Sequence, residues 1–318
     1  MPLPRYAAWI FPVAASIVAA TNISAQNYPH KPIRLVTSLP GGTNDFVARM
    51  IALRLPDAVG QPVIVDNRGA IFSAETVAKA APDGYTLLVT ASELWVIPLL
   101  RKAAYDIERD YAMITMAIRQ PTIVVVHPSV PAKSVRELIE LSKSRPEGLL
   151  YGSATVGSAS HTGPELFKLM SGANLTRVPY KSAGNAATGL LGNEIQLIFG
   201  TAASTIPFVK SGRLRAIAVT SAEPSALLPE LPTVAATVPG YESVTVGGVF
   251  APAKTPASII KRLNHDIVRL INRPDTKEQL FNAGVEPVGS TPEAFTAKIK
   301  SETIRLGKLI KDTGIRAD

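Results

Sequence analysis

The chain has no cysteine, which removes disulfides, thiol nucleophiles and cysteine-ligated metal sites from consideration. Histidine is almost as scarce. His30, His127, His161 and His265 show no ligand spacing such as HExxH, so neither a metal site nor a cofactor is expected. Charged residues make up only 18% and aromatics 6%, against 46% hydrophobic residues. That balance suits a compact α/β protein with a large core and argues against disorder. The net charge of +8 raises nucleic acid as a partner, but the basic residues are scattered. Their densest group, Lys210, Arg213 and Arg215, has no interleaved aromatic residues, so no nucleic-acid partner is expected. Mild positive charge suits instead the steering of an anion into a cleft.

No apolar run is long enough to cross a bilayer comfortably. The nearest is residues 7–20 (AAWIFPVAASIVAA), preceded by Arg5 and followed by the small, polar TNISA. This is the pattern of a secretory signal, expected to occupy residues 1–25 with cleavage at Ala25.

The rest of the chain alternates short β-forming runs with helical spacing. Strands are expected at 33–39, 61–66 and 86–90, with helices at 44–55 and 74–80 between them. A strand at 122–127 and a helix at 135–142 lead to a second alternation. Its strands fall at 149–153, 176–180, 195–199 and 214–220, and its helices at 161–170 and 183–191. An extended return is expected at 243–251. Two closing helices come after it, one N-capped by Thr255 ahead of Pro256, the other by Thr291 ahead of Pro292 and ending near Gly314. Strand–helix–strand alternation implies parallel βαβ units in two α/β lobes. Residues 28–121 with 243–318 are expected to form lobe one, discontinuous in sequence, and 122–242 lobe two. The two crossings would serve as a hinge.

Two turns carry the chemistry. In the first, Leu39, Pro40, Gly41, Gly42, Thr43 and Asp45 lie between a strand and a helix, where glycine lets backbone approach a ligand. In the second, Ser153, Thr155, Gly157, Ser158 and His161 hold the same position in the other run. Hydroxyls and free N–H groups at two helix starts are neutral donors suited to a carboxylate. Ligands of open α/β sheets bind beyond the carboxyl ends of the strands, so both turns are expected on one cleft. Lys181 and Ser182, at a later strand-to-helix junction, complete the candidate set, with Lys181 at most peripheral. A valine at Gly41 or Gly42 is expected to block the ligand's approach and to resist positive φ. Ser158 and His161 also invite a hydrolase reading, but no GxSxG elbow and no third partner accompany them.

The ordered segments YPHKPIRLVTSLPGGTNDFVARMIALRL, GQPVIVDNR, APDGYTLL, YGSATVGSASH, VPYKSAG, LPELPTVAATVPGYE and FAPAKTP span nearly the whole chain after residue 27. Together they resemble the Bug family, the TctC-like periplasmic receptors of tripartite tricarboxylate transporters. The resemblance implies a type II periplasmic-binding-protein fold and a small organic carboxylate held largely by backbone N–H groups and bridging water. It further implies a periplasmic, non-enzymatic, monomeric receptor that hands its ligand to the membrane subunits of a transporter. The sequence departs from the family pattern at Gly69-Ala70-Ile71-Phe72-Ser73, where a longer glycine-rich stretch is usual. It departs again at Ser182, Gly189 and Gly200, so ligand identity does not carry over. A receptor that signals to a membrane sensor kinase is an alternative, because both uses rest on the same closed surface.

Overall fold

The computed structural model describes residues 28–154 and 156–315. The expected signal segment, Thr155 and the final three residues lie outside them. Ten strands are present among the described residues: β1 (Ile33–Thr37), β2 (Val63–Asn67), β3 (Thr86–Thr90), β4 (Tyr111–Val126), β5 (Leu149–Ser153), β6 (Leu175–Pro179), β7 (Leu197–Thr201), β8 (Arg215–Val219), β9 (Val244–Pro252) and the short β10 (Glu286–Pro287). The continuous order is β2-β1-β3-β9-β4-β7-β5-β6, with β8 and β10 also pairing with β4.

Two sub-sheets repeat one plan. In the first, β1 is parallel to β2 and β3, and β9 enters antiparallel between β3 and β4. In the second, β5 is parallel to β6 and β7, and β4 enters antiparallel between β7 and β8. In each case the intruding strand is one that crosses between the two runs of alternating strands and helices. This is the two-lobed α/β arrangement of type II periplasmic binding proteins. Parallel strands need both faces covered, and β1, β3, β5 and β7 are accordingly buried and rich in Val, Ile and Leu.

The 16-residue strand β4 is longer than its sequence suggests. Its second part, 122–126, pairs with β7 and β8 as the apolar run TIVVV predicts. Its first part, 111–121, pairs with β9, but two register shifts break the period-two pattern there. Pro121 closes that stretch. It sits where β4 changes partners, so the missing N–H costs little.

Besides the single turns Pro56–Val59 and Ile107–Asp110, three longer helices lie where the spacing predicts none: Glu93–Leu100, Ala202–Lys210 and Pro274–Asn282. The first two carry internal prolines, Pro98 and Pro207, which mask helical spacing. Three helices rather than two therefore come after β9. The helix Ala257–Ile271 is not capped by Thr255, whose hydroxyl donates back to the Pro252 carbonyl at 2.8 Å, and Pro256 takes the cap position. The last helix, Pro292–Thr313, matches expectation. Thr291 accepts the Ala294 amide, and Gly314 ends it at φ 68°.

The largest apolar cluster runs from Trp95, Phe250 and Phe295 to Tyr151, Phe167 and Phe199, so it is continuous across the crossing. Within it β9 is thinned to glycine. A Cβ on Gly248 would lie 2.4 Å from Phe295 Cζ and 2.6 Å from the Thr115 carbonyl oxygen. One of those neighbours is backbone and cannot swing away. Gly248→Ala should destabilise the fold by about 1–3 kcal/mol, the usual penalty of overpacking a core. Urea denaturation checks this, with an unchanged midpoint as the contrary result.

Candidate functional site

The carboxyl ends of β3, β5 and β6 open onto a cavity of about 580 Å³. From the first lobe come Ser92 and Glu93, just beyond β3, and the apolar side of the helix Glu93–Leu100, namely Val96, Ile97 and Leu100, with Arg101 at its end. From the second lobe come Ala154 and Val156 to Ala159, beyond β5, with Arg177, Pro179 and Tyr180 at the end of β6. Thr245, on the crossing strand β9, also lines the cavity.

The lobes touch through Gly157. Its φ is +82°, and a Cβ there would stand 2.6 Å from Leu100 Cδ1 and 3.2 Å from Val96 Cγ1. The second-lobe turn therefore rests on the first-lobe helix through the smallest residue available. The Gly157 amide donates to His161 Nδ1 at 3.2 Å, which stiffens the turn from behind. His161 itself is buried at the helix start. Ser158 borders the cavity, and its hydroxyl lies 3.0 Å from that of Ser160.

Arg177 fastens the same turn. Its Nε donates to Ser153 Oγ at 2.7 Å and its Nη2 to the Ala154 carbonyl at 3.2 Å. Among the described residues neither Arg177 nor Arg101 forms an ion pair, so both bring uncompensated charge to the cavity wall. Tyr180 donates to Glu194 at 3.1 Å. Burial, followed by that hydrogen bond, pushes its phenol above the ordinary value and keeps it protonated at neutral pH.

The other residues singled out in the sequence lie elsewhere. Leu39, Pro40, Gly41 and Gly42 are exposed and do not line this cavity. Gly41 holds φ +90°, whereas Gly42 sits at φ −93° with nothing within 4 Å of an added Cβ, so only Gly41 needs glycine's freedom. Thr43 begins the helix Thr43–Arg54. Lys181 is exposed and off the cavity, and Ser182 caps the helix Ala183–Leu191 by accepting the Asn185 amide. Thr155 lies outside the described residues. Sequence reasoning misses Glu93, Arg101, Arg177 and Tyr180. A lone arginine in the short strand LTRVP is the available signal for Arg177; the helix bearing Glu93 gives none.

Asp45 braces the first turn. Its buried carboxylate accepts the Gly41 amide at 3.0 Å and Asn67 Nδ2 at 2.7 Å, and pairs with Arg49 at 2.9 Å. The helix Thr43–Arg54 thus has an acidic residue in its first turn, although no side chain caps its N-terminal amides.

Residues 47–315 match the profile of the tripartite tricarboxylate transporter family receptor, TctC. The chain belongs to this family. Protein BugT of Bordetella pertussis is 32% identical over 326 residues, covering 99% of each chain. Among solved structures, R. palustris Rpa4515 with adipate is 33% identical at a TM-score of 0.76, covering 92% of this chain and all of that one. MatC of Rhodopseudomonas palustris, with bound malate, is 25% identical at a TM-score of 0.70, covering 89% of this chain and all of that one. The chain is thus a solute-binding receptor of the Bug and TctC kind. No three His, Asp or Glu side chains gather as a metal site among the described residues.

In this family member Asp45 is a structural anion. Burial pushes its pKa up, but the hydrogen bonds from Arg49, Gly41 and Asn67 outweigh that and hold it below the ordinary carboxylate value. Its stabilisation is complete above the unfolded-state pKa near 4 and is lost as pH falls through the lower folded one. Asp45→Asn should cost about 1.5 kcal/mol at pH 7, the low end for a charged hydrogen-bond acceptor because Arg49 is more than half exposed. Denaturation curves of the two proteins should draw together below pH 4.

Proposed function

We propose that the protein is a periplasmic receptor that closes its two lobes on a small organic carboxylate and delivers it to the membrane subunits of a tripartite transporter. Lobe one comprises residues 28–121 and 243–318, and lobe two residues 122–242. Residues 1–25 direct export, and the receptor acts as a monomer without chemical change to its ligand. Rpa4515 with adipate and MatC with malate support a carboxylate as cargo. The observation that carries the reading is the pair of arginines, Arg101 and Arg177, without ion-pair partners among the described residues, which outnumber the one carboxylate, Glu93, on a cavity lined for the rest by apolar side chains and polar neutral groups.

The anion is held by the second-lobe turn and by these guanidiniums. The Ser158 hydroxyl and the amides of Ser158 and Ala159 are neutral donors at the start of the helix Ala159–Ser171, where the macrodipole favours negative charge. Arg177 adds a fork-shaped donor already oriented by Ser153 and Ala154. This reading gives the main part to the second-lobe helix start and the arginines, in place of backbone donation at two helix starts.

Titration calorimetry with a panel of mono-, di- and hydroxycarboxylates tests this, with mass analysis of the recovered ligand. At least one should bind and return unchanged. Arg177→Ala should weaken it tenfold or more, equivalent to the roughly 1.5–3 kcal/mol of a charge-assisted hydrogen bond, while Lys181→Ala leaves it intact. Thermal unfolding shows whether the variant turn is intact. A panel without a single binder, or Lys181→Ala abolishing binding, defeats the reading.

Gly157→Ala should also weaken binding several-fold, because the added methyl would press on Leu100 across the two lobes and because φ +82° strains any residue with a Cβ. Small-angle scattering with saturating ligand should show the variant more extended than the wild type; identical profiles and affinities would contradict it.

A further inference from the structure

The helix Glu93–Leu100 presents three kinds of chemistry to the cavity in sequence. Glu93 stands at its start and Arg101 immediately past its end. Eight residues at 1.5 Å of rise separate them by about 12 Å along the axis. Between them Val96, Ile97 and Leu100 offer hydrocarbon. An acid, an apolar stretch and a base thus succeed one another along a single wall.

Glu93 is fixed in place. Its Oε1 accepts the Thr90 hydroxyl at 2.9 Å and also the Asn44 side-chain amide. Both partners use the same oxygen. Among the described residues Oε2 has no hydrogen bond, and no Lys, Arg or His pairs with the carboxylate. A held acceptor with an uncommitted oxygen on a cavity wall suits a donor brought by the ligand.

The charge balance points the same way. Arg101 and Arg177 against Glu93 leave the wall at +1, which one ligand carboxylate neutralises. A second ionised carboxylate would leave the occupied cleft at −1, with like charges facing each other across a partly dried space. We propose that Glu93 is a specificity-determining residue. It selects a monocarboxylate that carries a hydroxyl or ammonium donor at its far end, across an apolar spacer, and disfavours α,ω-dicarboxylates. The assignment rests on the carboxylate reading of the cleft and narrows it. The ligand's carboxylate lies at the arginines, its methylenes along Val96, Ile97 and Leu100, and its donor on Glu93 Oε2.

Calorimetry on the purified protein at pH 7.5 with three matched series decides it: ω-hydroxy acids, ω-amino acids and α,ω-dicarboxylates of four to eight carbons. At the best chain length, a hydroxy or amino acid should bind at least tenfold more tightly than the dicarboxylate of equal length. Glu93→Gln should cut that preference below threefold, chiefly by tightening the dicarboxylate. Charge balance favours the hydroxyl, but a preference for the ammonium equally supports a donor site. A wild type that binds dicarboxylates as tightly as the other series overturns the assignment while leaving the carboxylate reading intact. So does a preference untouched in Glu93→Gln. Should that variant fail to fold, the wild-type ratio alone decides between the two outcomes. Failure of all three series and of the wider carboxylate panel to bind defeats the broader reading and this one with it.

Discussion

Both lobes hang from β4. Its first part belongs to one sub-sheet and its second part to the other, so neither can be assembled without it. The change of partner is pinned by side chains as well as by the ladder. Thr220 Oγ1 lies 2.8 Å from the Thr122 amide, 2.9 Å from the Thr122 carbonyl and hydroxyl, and 2.6 Å from the Ser243 carbonyl. The Ser243 amide in turn donates to the Thr220 carbonyl at 2.8 Å. All three residues are buried, so the crossing of β4, the end of β8 and the entry to β9 share one knot of polar groups that water does not reach. Buried polar groups cost most when unpaired, and here pairing fixes the register of two strands at once. The cavity is lined by residues of both sub-sheets that meet at this knot.

The same geometry divides labour between the two strand-end turns. They look equivalent in sequence, since each places small and hydroxyl-bearing residues before a helix. They are not equivalent electrostatically. The first-lobe helix carries an acidic residue, Asp45, in its first turn, and its carboxylate accepts the Gly41 amide just ahead of the helix. The second-lobe helix has no acidic residue in its first turn, and it is the one whose turn faces the cavity.

Much of the fold is legible in the residues. The parallel units announce themselves as short aliphatic runs separated by Gly and Pro, and β3, β5 and the helix Ala183–Leu191 fall where periodicity places them. The losses have local causes. Register shifts hide the first part of β4, and prolines inside helices hide Glu93–Leu100 and Ala202–Lys210. The site suffers from the second of these. Its acid, its apolar wall and Arg101 all sit on or beside a helix that sequence spacing conceals. Arg177 stands on the other lobe, and pairing of β6 with β5 brings it to the turn. Gly157 and Ser158 are visible because glycine and hydroxyls beside a strand end are local signals; a partner brought by strand pairing is not.

The last helix adds a constraint of another kind. Pro292–Thr313 packs on β4 and touches both the helix Glu93–Leu100 and the helix Ala159–Ser171, so it straddles the cleft's two walls from behind. It is moored to the segment leading from β8 into β9 by charge: Lys298 Nζ lies 2.8 Å from the Glu242 carboxylate, and Arg305 Nη1 donates to the Glu242 carbonyl at 2.6 Å. Lys298 and Glu242 are each about a quarter exposed, so dissolved ions reach this mooring although they do not reach the threonine knot. Ionic strength acts on such a pair within a Debye length of roughly 8 Å under physiological conditions. The crossing therefore has one side set by neutral hydrogen bonds that salt leaves alone, and another held by an ion pair that ionic strength weakens.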